Sequence, residues 1–286
     1  MRLSLTALLF ALTTTTAAAV SSQPSRATIA VTARTMQPGE LVLLDVTTSE
    51  PWTNVRASAF DRRLAAYEID ASRWRVLAGI DLDVKPGSYP VSITADGGRS
   101  ATHTVPVKPK RFPTRQLKVN DAFVNPPASA LERIRQESQL LAAIWADTAP
   151  ERLWRGPFLR PVPHQANSAF GSRSIFNGQP RNPHGGADFL SPAGTAVKAP
   201  NAGRIVLARD LYYSGRTVII DHGLGVGSQF GHLSEIAVAE GMAIAAGEII
   251  GKVGSTGRVT GPHLHWSVRI GTARIDPLSL LAVLGK

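Results

Sequence analysis

Short apolar runs, each about as long as a β-strand, dominate the residue pattern from position 26 to position 107. Turn sequences separate them: Q-P-G-E at 37–40, K-P-G at 85–87 and D-G-G at 96–98. Runs of this length, bounded by such turns, are typical of strands. Six or seven strands in about 80 residues predict a small β-sandwich of immunoglobulin-like type over 26–107. The runs are 27–33, 41–46, 54–60, 74–80, 87–94 and 100–107.

The pattern changes after the last of these runs. Residues 108–156 are predicted to be a linker with one helix, in which Ser129 and Glu132 form a capping box. One apolar stripe of that helix contains Leu131, Ile134, Leu141 and Trp145. From 157 to 286, many short β runs with glycine turns follow, and a last helix spans 277–283. This pattern predicts a mostly β protein whose C-terminal domain is antiparallel.

The first residues, 1–19, resemble a secretory signal peptide. Arg2 supplies the positive charge, residues 3–12 the apolar run, and A-A-A at 17–19 the small-residue cleavage site. A run of this length is too short to span a membrane, which takes about 20 residues. We therefore expect an exported protein, located in the periplasm or secreted, with or without cleavage of this segment.

The chain contains no cysteine. An exported protein without cysteine has no disulfide framework, and it has neither a cysteine nucleophile nor a cysteine metal ligand. Any metal ion must therefore be held by histidine and carboxylate side chains.

The formal net charge is +10. A basic exported protein attracts anionic polymers. No stripe of basic residues interleaved with aromatic ones is present, so nucleic acid is not an expected partner. A cell-wall or envelope polymer, and association with the envelope surface, suit an exported protein better. Charge that serves only solubility is the alternative, and the oligomeric state is left open.

Two short motifs contain the candidate chemistry, H-G-G-A-D at 184–188 and G-P-H-L-H at 261–265. Two imidazoles and one carboxylate are a ligand set that binds zinc and leaves a position for water. In a strand, His263 and His265 point to the same face, so both can enter one cleft. His232 is a further candidate partner for a water molecule. His222 is a competitor more typical of a turn, and His164 is incidental.

Residues 158–281 resemble the lysostaphin-type (LytM-like) zinc metallopeptidases that cleave peptidoglycan. The matching segments are F-G-S-R at 170–173, H-G-G-A-D-F at 184–189, S-P-A-G-T-A-V-K-A-P at 191–200, V-I-I-D-H-G at 218–223, F-G-H-L-S at 230–234, G-K-V-G-S-T-G-R-V-T-G-P-H-L-H-W at 251–266 and I-D-P-L at 275–278. The resemblance implies an antiparallel β fold with a groove over one sheet.

The same resemblance implies a role for each motif residue. His184, Asp188 and His265 would bind one zinc ion, and His232 and His263 would be the catalytic pair. Phe230 stands where the family often has tyrosine, which puts a substrate contact in doubt. The implied substrates are peptidoglycan stem peptides and their cross-links, either a D-Ala–diaminopimelate bond or a glycine bridge.

Three other functions compete with a peptidoglycan D,D-endopeptidase. They are a zinc-binding regulator of cell-wall hydrolases, a secreted protease acting on glycine-rich proteins, and a structural or adhesion module. In the peptidase mechanism, a zinc-activated water attacks the peptide carbonyl while His232 or His263 transfers its proton. The position of the N-terminal domain upstream of the site also raises the hypothesis that it covers the groove and keeps the enzyme latent.

Overall fold

The computed structural model describes residues 27–118, 124–167 and 170–285. The predicted signal segment at 1–19 therefore lies outside the described residues. Within those ranges the fold is mostly β, as predicted, with two α-helices and one short 3-10 turn. No helix in the described part of the chain is both long and apolar enough to cross a membrane.

Seven antiparallel strands form the N-terminal part. Strand order is β1-β2-β5-β4 in one layer and β3-β6-β7 in the other, and β3 also pairs with β4. This is the arrangement of a constant-type immunoglobulin domain, as the turn spacing predicted. The strands are β1 (Ala27–Ala33), β2 (Leu41–Thr48), β3 (Arg56–Ala59), β4 (Arg62–Asp70), β5 (Arg73–Gly79), β6 (Gly87–Thr94) and β7 (Ser100–Val107).

Strand β4 is absent from the predicted runs. Its sequence, R-R-L-A-A-Y-E-I-D, has only one buried side chain, Tyr67, and no continuous apolar face. Tyr67 and its neighbour Ala65 pack into the core of the C-terminal part rather than between the two layers of the sandwich. Because the surface that Tyr67 packs against belongs to the C-terminal part, far away in the sequence, local alternation gave no signal for this strand.

The connecting segment contains strand β8 (Thr114–Leu117) and helix α1 (Ala128–Ala146). The predicted capping box is wrong. The helix begins directly after Pro127, so Ser129 lies inside its first turn, and Glu132 binds Arg135 and Gln136 instead. The apolar stripe is also shifted: Leu131 is exposed, while Leu140, Leu141, Ile144 and Trp145 pack against Leu207, Leu211 and Ile219.

The C-terminal part is built on one antiparallel nine-stranded sheet. Its main path runs β11-β18-β15-β14-β13-β16, with β19 beside β18 and with β12 and β17 paired beside β15. A small separate sheet has the order β10-β9-β8, in which β8 of the connecting segment runs parallel to β9. The elements are β9 (Arg173–Phe176), β10 (Gln179–Pro180), β11 (Gly186–Phe189), β12 (Ala196–Lys198), β13 (Gly203–Leu211), β14 (Gly215–Gly223), β15 (Val226–Ile236), β16 (Ala243–Ile244), β17 (Ile249–Val253), β18 (Leu264–Ile270), β19 (Ala273–Ile275) and α2 (Pro277–Leu284).

One apolar core joins the N-terminal and C-terminal parts. Leu41, Leu43, Tyr67 and Leu77 belong to the same buried cluster as the interior of the nine-stranded sheet. Polar contacts cross the same boundary, since the Leu41 amide donates to Ser279 Oγ at 2.9 Å and Arg34 donates to Asp276 at 2.6 Å. Because these contacts cross the predicted boundaries, the division into domains at 26–107, 108–156 and 157–286 stays a prediction.

Candidate active site

The pairing of β11 with β18 brings the two predicted motifs together. Asp188 lies directly opposite His265 in this antiparallel register. Directly opposite residues share one face of the sheet, with their side chains in reach of each other. His184 precedes β11, and its main chain pairs with the segment at 171–172: its amide donates to Ser172 O, and its carbonyl accepts from Gly171. Backbone pairing therefore fixes all three side chains.

Three donor atoms converge at this point. His184 Nε2 lies 3.1 Å from Asp188 Oδ1 and 3.1 Å from His265 Nδ1, and His265 Nδ1 lies 2.8 Å from Asp188 Oδ1. Around a zinc ion with bonds of about 2.0–2.1 Å, tetrahedral ligands are about 3.3 Å apart. The cluster has this size within a few tenths of an ångström. Two imidazole nitrogens and one carboxylate oxygen are also the donor set that zinc prefers, so the residues fit the ion.

Gly186 makes room for the His265 ring. A Cβ at this glycine would lie 2.4 Å from the Trp266 carbonyl oxygen and 2.8 Å from both His265 Nε2 and Ser267 Oγ. His265 Nε2 is itself 2.8 Å from Ser267 Oγ. When Nε2 carries the proton and donates it to Ser267, Nδ1 presents its lone pair to the cluster, as a metal ligand must. The second glycine of H-G-G-A-D, Gly186, thus leaves the space that the His265 ring occupies.

His232 and His263 form a second pair beside this cluster. Their ring centroids are 4.9 Å apart, and His263 Nε2 lies 3.8 Å from Asp188 Oδ1. Nδ1 of His232 is 2.9 Å from the Thr256 carbonyl, and Nδ1 of His263 is 2.9 Å from the Gly261 carbonyl. A carbonyl only accepts, so each Nδ1 carries a proton and donates it, which leaves Nε2 as the acceptor in the neutral ring.

The local electrostatics favour an ionised Asp188 carboxylate and neutral His232 and His265 rings. Burial disfavours the charge on Asp188, but hydrogen bonds from His184 and His265 outweigh burial and hold the pKa of this carboxyl well below its usual range. Burial lowers the pKa of His265, although its hydrogen bond to Asp188 opposes the change. Burial also lowers the pKa of His232 to about 4, opposed by its hydrogen bond to Thr256. An ionised carboxylate at Asp188 and a neutral imidazole at His265 are the charge states that metal binding requires.

The five residues line one cleft of about 380 Å³. Its other lining residues, which sequence analysis missed, are Tyr213, Ser214, Gln229, Arg258, Val259 and Thr260. Larger cavities of about 510 Å³ and 560 Å³ lie elsewhere, and their linings contain no histidine. Every described residue that lines the cleft belongs to the C-terminal part, and latency imposed by the N-terminal domain stays a hypothesis.

Three residues singled out from the sequence lie outside the cleft. Phe230 is fully buried and stacks on Trp266, so it makes no contact with the cleft, and Gln229 faces it instead. His222 lies at the end of β14 rather than in a turn. It is fully buried between the Ala202 carbonyl and Ser228 Oγ, and burial lowers its pKa to about 4. His164 contacts Ser191.

Comparisons with known proteins agree with this geometry. The family model "Peptidase family M23" matches residues 182–277. The peptidoglycan DD-endopeptidase ShyA of Vibrio cholerae is 44% identical over 86 residues, which cover 30% of this chain and 20% of that protein. The DD-carboxypeptidase/endopeptidase Mpg of Neisseria meningitidis is 43% identical over 97 residues, covering 34% and 22%. The match therefore spans about a fifth of the length of these curated relatives.

A solved structure resembles nearly the whole chain. It is a crystal structure assigned to peptidase M23 from Pseudomonas aeruginosa, with 31% sequence identity and a TM-score of 0.70. The similarity covers 87% of this chain and 96% of that one, so it includes the N-terminal strands as well as the sheet with the cleft. The chain therefore belongs to peptidase family M23, whose members are zinc-dependent metallopeptidases.

Proposed function

We propose that this protein is a zinc-dependent endopeptidase that hydrolyses the peptide cross-links of peptidoglycan. The observation that supports it most directly is the convergence of His184 Nε2, Asp188 Oδ1 and His265 Nδ1 within 3.1 Å of one another, beside two further histidines in one cleft. The names of the relatives ShyA and Mpg support the substrate class. The matching location is outside the cytoplasm, with the protein either in the periplasm or secreted.

In this proposal His184, Asp188 and His265 hold one zinc ion. The bound ion supplies Lewis-acid chemistry, polarising the scissile carbonyl and lowering the pKa of water. Asp188 contributes the single negative charge of this ligand set. Ser267 orients His265 by accepting its Nε2–H. His184 Nδ1 is buried with no hydrogen-bond partner among the described residues.

His232 and His263 carry out the proton transfers in this proposal. Each ring has its Nδ1–H committed to a carbonyl, so Nε2 accepts a proton from the attacking water. The ring that has become protonated then donates from Nε2 to the leaving amine. A neutral ring at neutral pH is the right starting state for a base, and the low pKa of His232 agrees with this role. Both rings have Nδ1 bound to a backbone carbonyl, so this contact leaves open which one acts first.

Separate loss of metal and of catalysis tests the assignment. His184→Ala and His265→Ala should lose both bound zinc and cleavage of purified peptidoglycan, since each removes one ligand. His263→Ala should keep zinc and lose cleavage by a factor of about 100 or more. Zinc is measured by atomic absorption on the dialysed protein, and products are identified from the masses of the released muropeptides. Cleavage by His263→Ala near the wild-type rate would show that this histidine has no catalytic role.

A chelator experiment tests the function as a whole. Wild-type protein stripped of metal should release no cross-linked muropeptides and should recover with added zinc. Zinc-loaded wild-type protein that leaves purified peptidoglycan intact would contradict the proposal and favour a regulatory role for the same fold.

A further inference from the structure

The two ligand histidines are held in different ways. Nε2 of His265 donates to Ser267, a contact that fixes the orientation of its ring. Nδ1 of His184 is buried, and no described residue offers it a hydrogen-bond partner. Outside the ligand cluster, therefore, no described polar group orients the His184 ring. The main chain that carries this histidine has the larger part in placing it.

That main chain pairs with Gly171 and Ser172, which belong to the F-G-S-R motif. The His184 amide donates to the Ser172 carbonyl at 2.9 Å, and the His184 carbonyl accepts from the Gly171 amide at 2.8 Å. The next residue, Arg173, begins β9, and its amide donates to the Pro113 carbonyl at 2.9 Å, where β9 starts to pair with β8. The position of His184 thus follows that of a segment bound to the connecting part of the chain.

The ring of Phe112 lies directly against Gly171. A Cβ on this glycine would lie 2.1 Å from Phe112 Cε1, and its φ of 76° is in the left-handed region that glycine adopts without steric cost. Lys110 also contacts the ring, with Nζ 5.1 Å from its centroid, and the same Nζ lies 3.6 Å from Glu40 Oε1. Because the ring and the glycine backbone touch without a gap, a shift of one displaces the other.

Phe170 fixes the same segment to the immunoglobulin-like part. Its side chain is buried, and a Cβ on Gly39 would lie 2.3 Å from Phe170 Cε1. Gly39 is itself bound on both sides, since its amide donates to the Ile80 carbonyl at 2.7 Å and its carbonyl accepts from the Asp276 amide at 2.8 Å. Two rings therefore hold the segment 170–172, one from the connecting part and one on the N-terminal part.

We infer that Phe112 and Phe170 are positioning residues for His184, acting through the main chain of Gly171 and Ser172. The two rings form a clamp by which the parts of the chain before the peptidase sheet set its affinity for zinc. Metal-to-ligand distances hold within about 0.2 Å, so a small backbone shift at His184 weakens the site. The inference rests on the proposed role of His184 as a zinc ligand, and it is independent of which bond is cleaved.

Removing the Phe112 ring from the full-length protein tests the clamp. Phe112→Ala should bind zinc about 10- to 100-fold more weakly, the usual effect of losing a group that orients a ligand. Phe112→Leu refills part of the space and should lose less. Tyr89→Ala is the matched control, because it removes another half-buried ring, one that packs against Phe60 in the sandwich, and it should bind zinc like wild type.

Two measurements make this comparison. Zinc affinity is measured by competition with a chromophoric chelator, and urea unfolding of the metal-free proteins shows that each variant is folded and how much stability it has lost. If Phe112→Ala does not fold, Phe112→Leu decides the question. Zinc affinity that stays at the wild-type value, or that falls equally in Tyr89→Ala at the same loss of stability, would overturn the inference.

The histidine ring signals separate positioning from general loosening. In NMR spectra of zinc-loaded protein with isotope-labelled histidine, Phe112→Ala should shift or broaden the ring signals of His184 more than those of His265. A change that is as large or larger at His265 would also overturn the inference. Wild-type protein that binds zinc but leaves peptidoglycan intact would contradict the proposed function alone, whereas wild-type protein that binds no zinc would overturn both.

Discussion

Replacing Gly186 with alanine tests how the candidate metal site is held together. The added Cβ would lie 2.4 Å from the Trp266 carbonyl oxygen and 2.8 Å from His265 Nε2. Favourable contacts between such atoms begin at about 3.5 Å. Strand β11 and the His265 ring must therefore move apart by about 1 Å, or the ring must turn away from Asp188.

A shift of this size exceeds what the site tolerates. Metal-to-ligand distances hold within about 0.2 Å, and a misplacement of about 1 Å lowers a rate by about 100-fold. We expect Gly186→Ala to fold with a stability loss of about 1–3 kcal/mol, the usual cost of overpacking. It should bind zinc at least about tenfold more weakly and cleave cross-linked muropeptides about 100-fold more slowly.

The neighbouring glycine supplies a matched control. A Cβ on Gly185 meets nothing within 4 Å, so Gly185→Ala should match wild type in stability, zinc affinity and rate. Zinc affinity is measured by competition with a chromophoric chelator, and stability by urea unfolding of the metal-free proteins. If Gly186→Ala bound zinc as tightly as Gly185→Ala, the steric account of the His265 position would be wrong.

Three further predictions concern groups outside the cleft. The folded chain keeps His222 neutral down to a pKa of about 4, whereas the unfolded chain takes up its proton near 6.5. The free energy of unfolding should therefore fall by up to about 3 kcal/mol from pH 6.5 to 4. In His222→Gln this fall should be smaller, and urea unfolding midpoints of both proteins across this pH range would measure the difference. Asp276→Asn removes the charge partner of Arg34 and weakens the cap on α2, so thermal unfolding should show a loss of about 2 kcal/mol; an unchanged Tm would contradict this. Phe230→Tyr places a hydroxyl in a fully buried site and should cost about 1–3 kcal/mol without changing which muropeptides are released, which the masses of the released products would check.

The predictions that succeeded depend on local regularity. His263 and His265 face the cleft while Leu264 between them is fully buried, as the two-residue repeat of a strand requires. The turns at 37–40 and 96–98 likewise lie between observed strands. Alternation and turn chemistry act between near neighbours, so a single sequence displays them.

What the sequence did not reveal depends on distant partners. Tyr213 and Arg258 reach the cleft only because their loops are bound together across more than forty positions, and no local motif marks that approach. The reason for Gly186 lies in a ring carried by another strand. The prediction of the helix start failed for a different reason: Pro127 occupies the cap position, so Ser129 of the predicted capping pair lies two residues too late.

The shared core between the immunoglobulin-like strands and the peptidase sheet has a practical consequence for truncation. Removing residues 20–110 would bare the surface now covered by Leu41, Leu43 and Leu77, and would leave Asp276 and Arg274 without Arg34 and Asp81. Such a fragment is expected to aggregate, so its inactivity would say nothing about latency. Hydrogen exchange on the intact chain should instead show slow amides in β2, β5 and β18 opening together, as one cooperative unit.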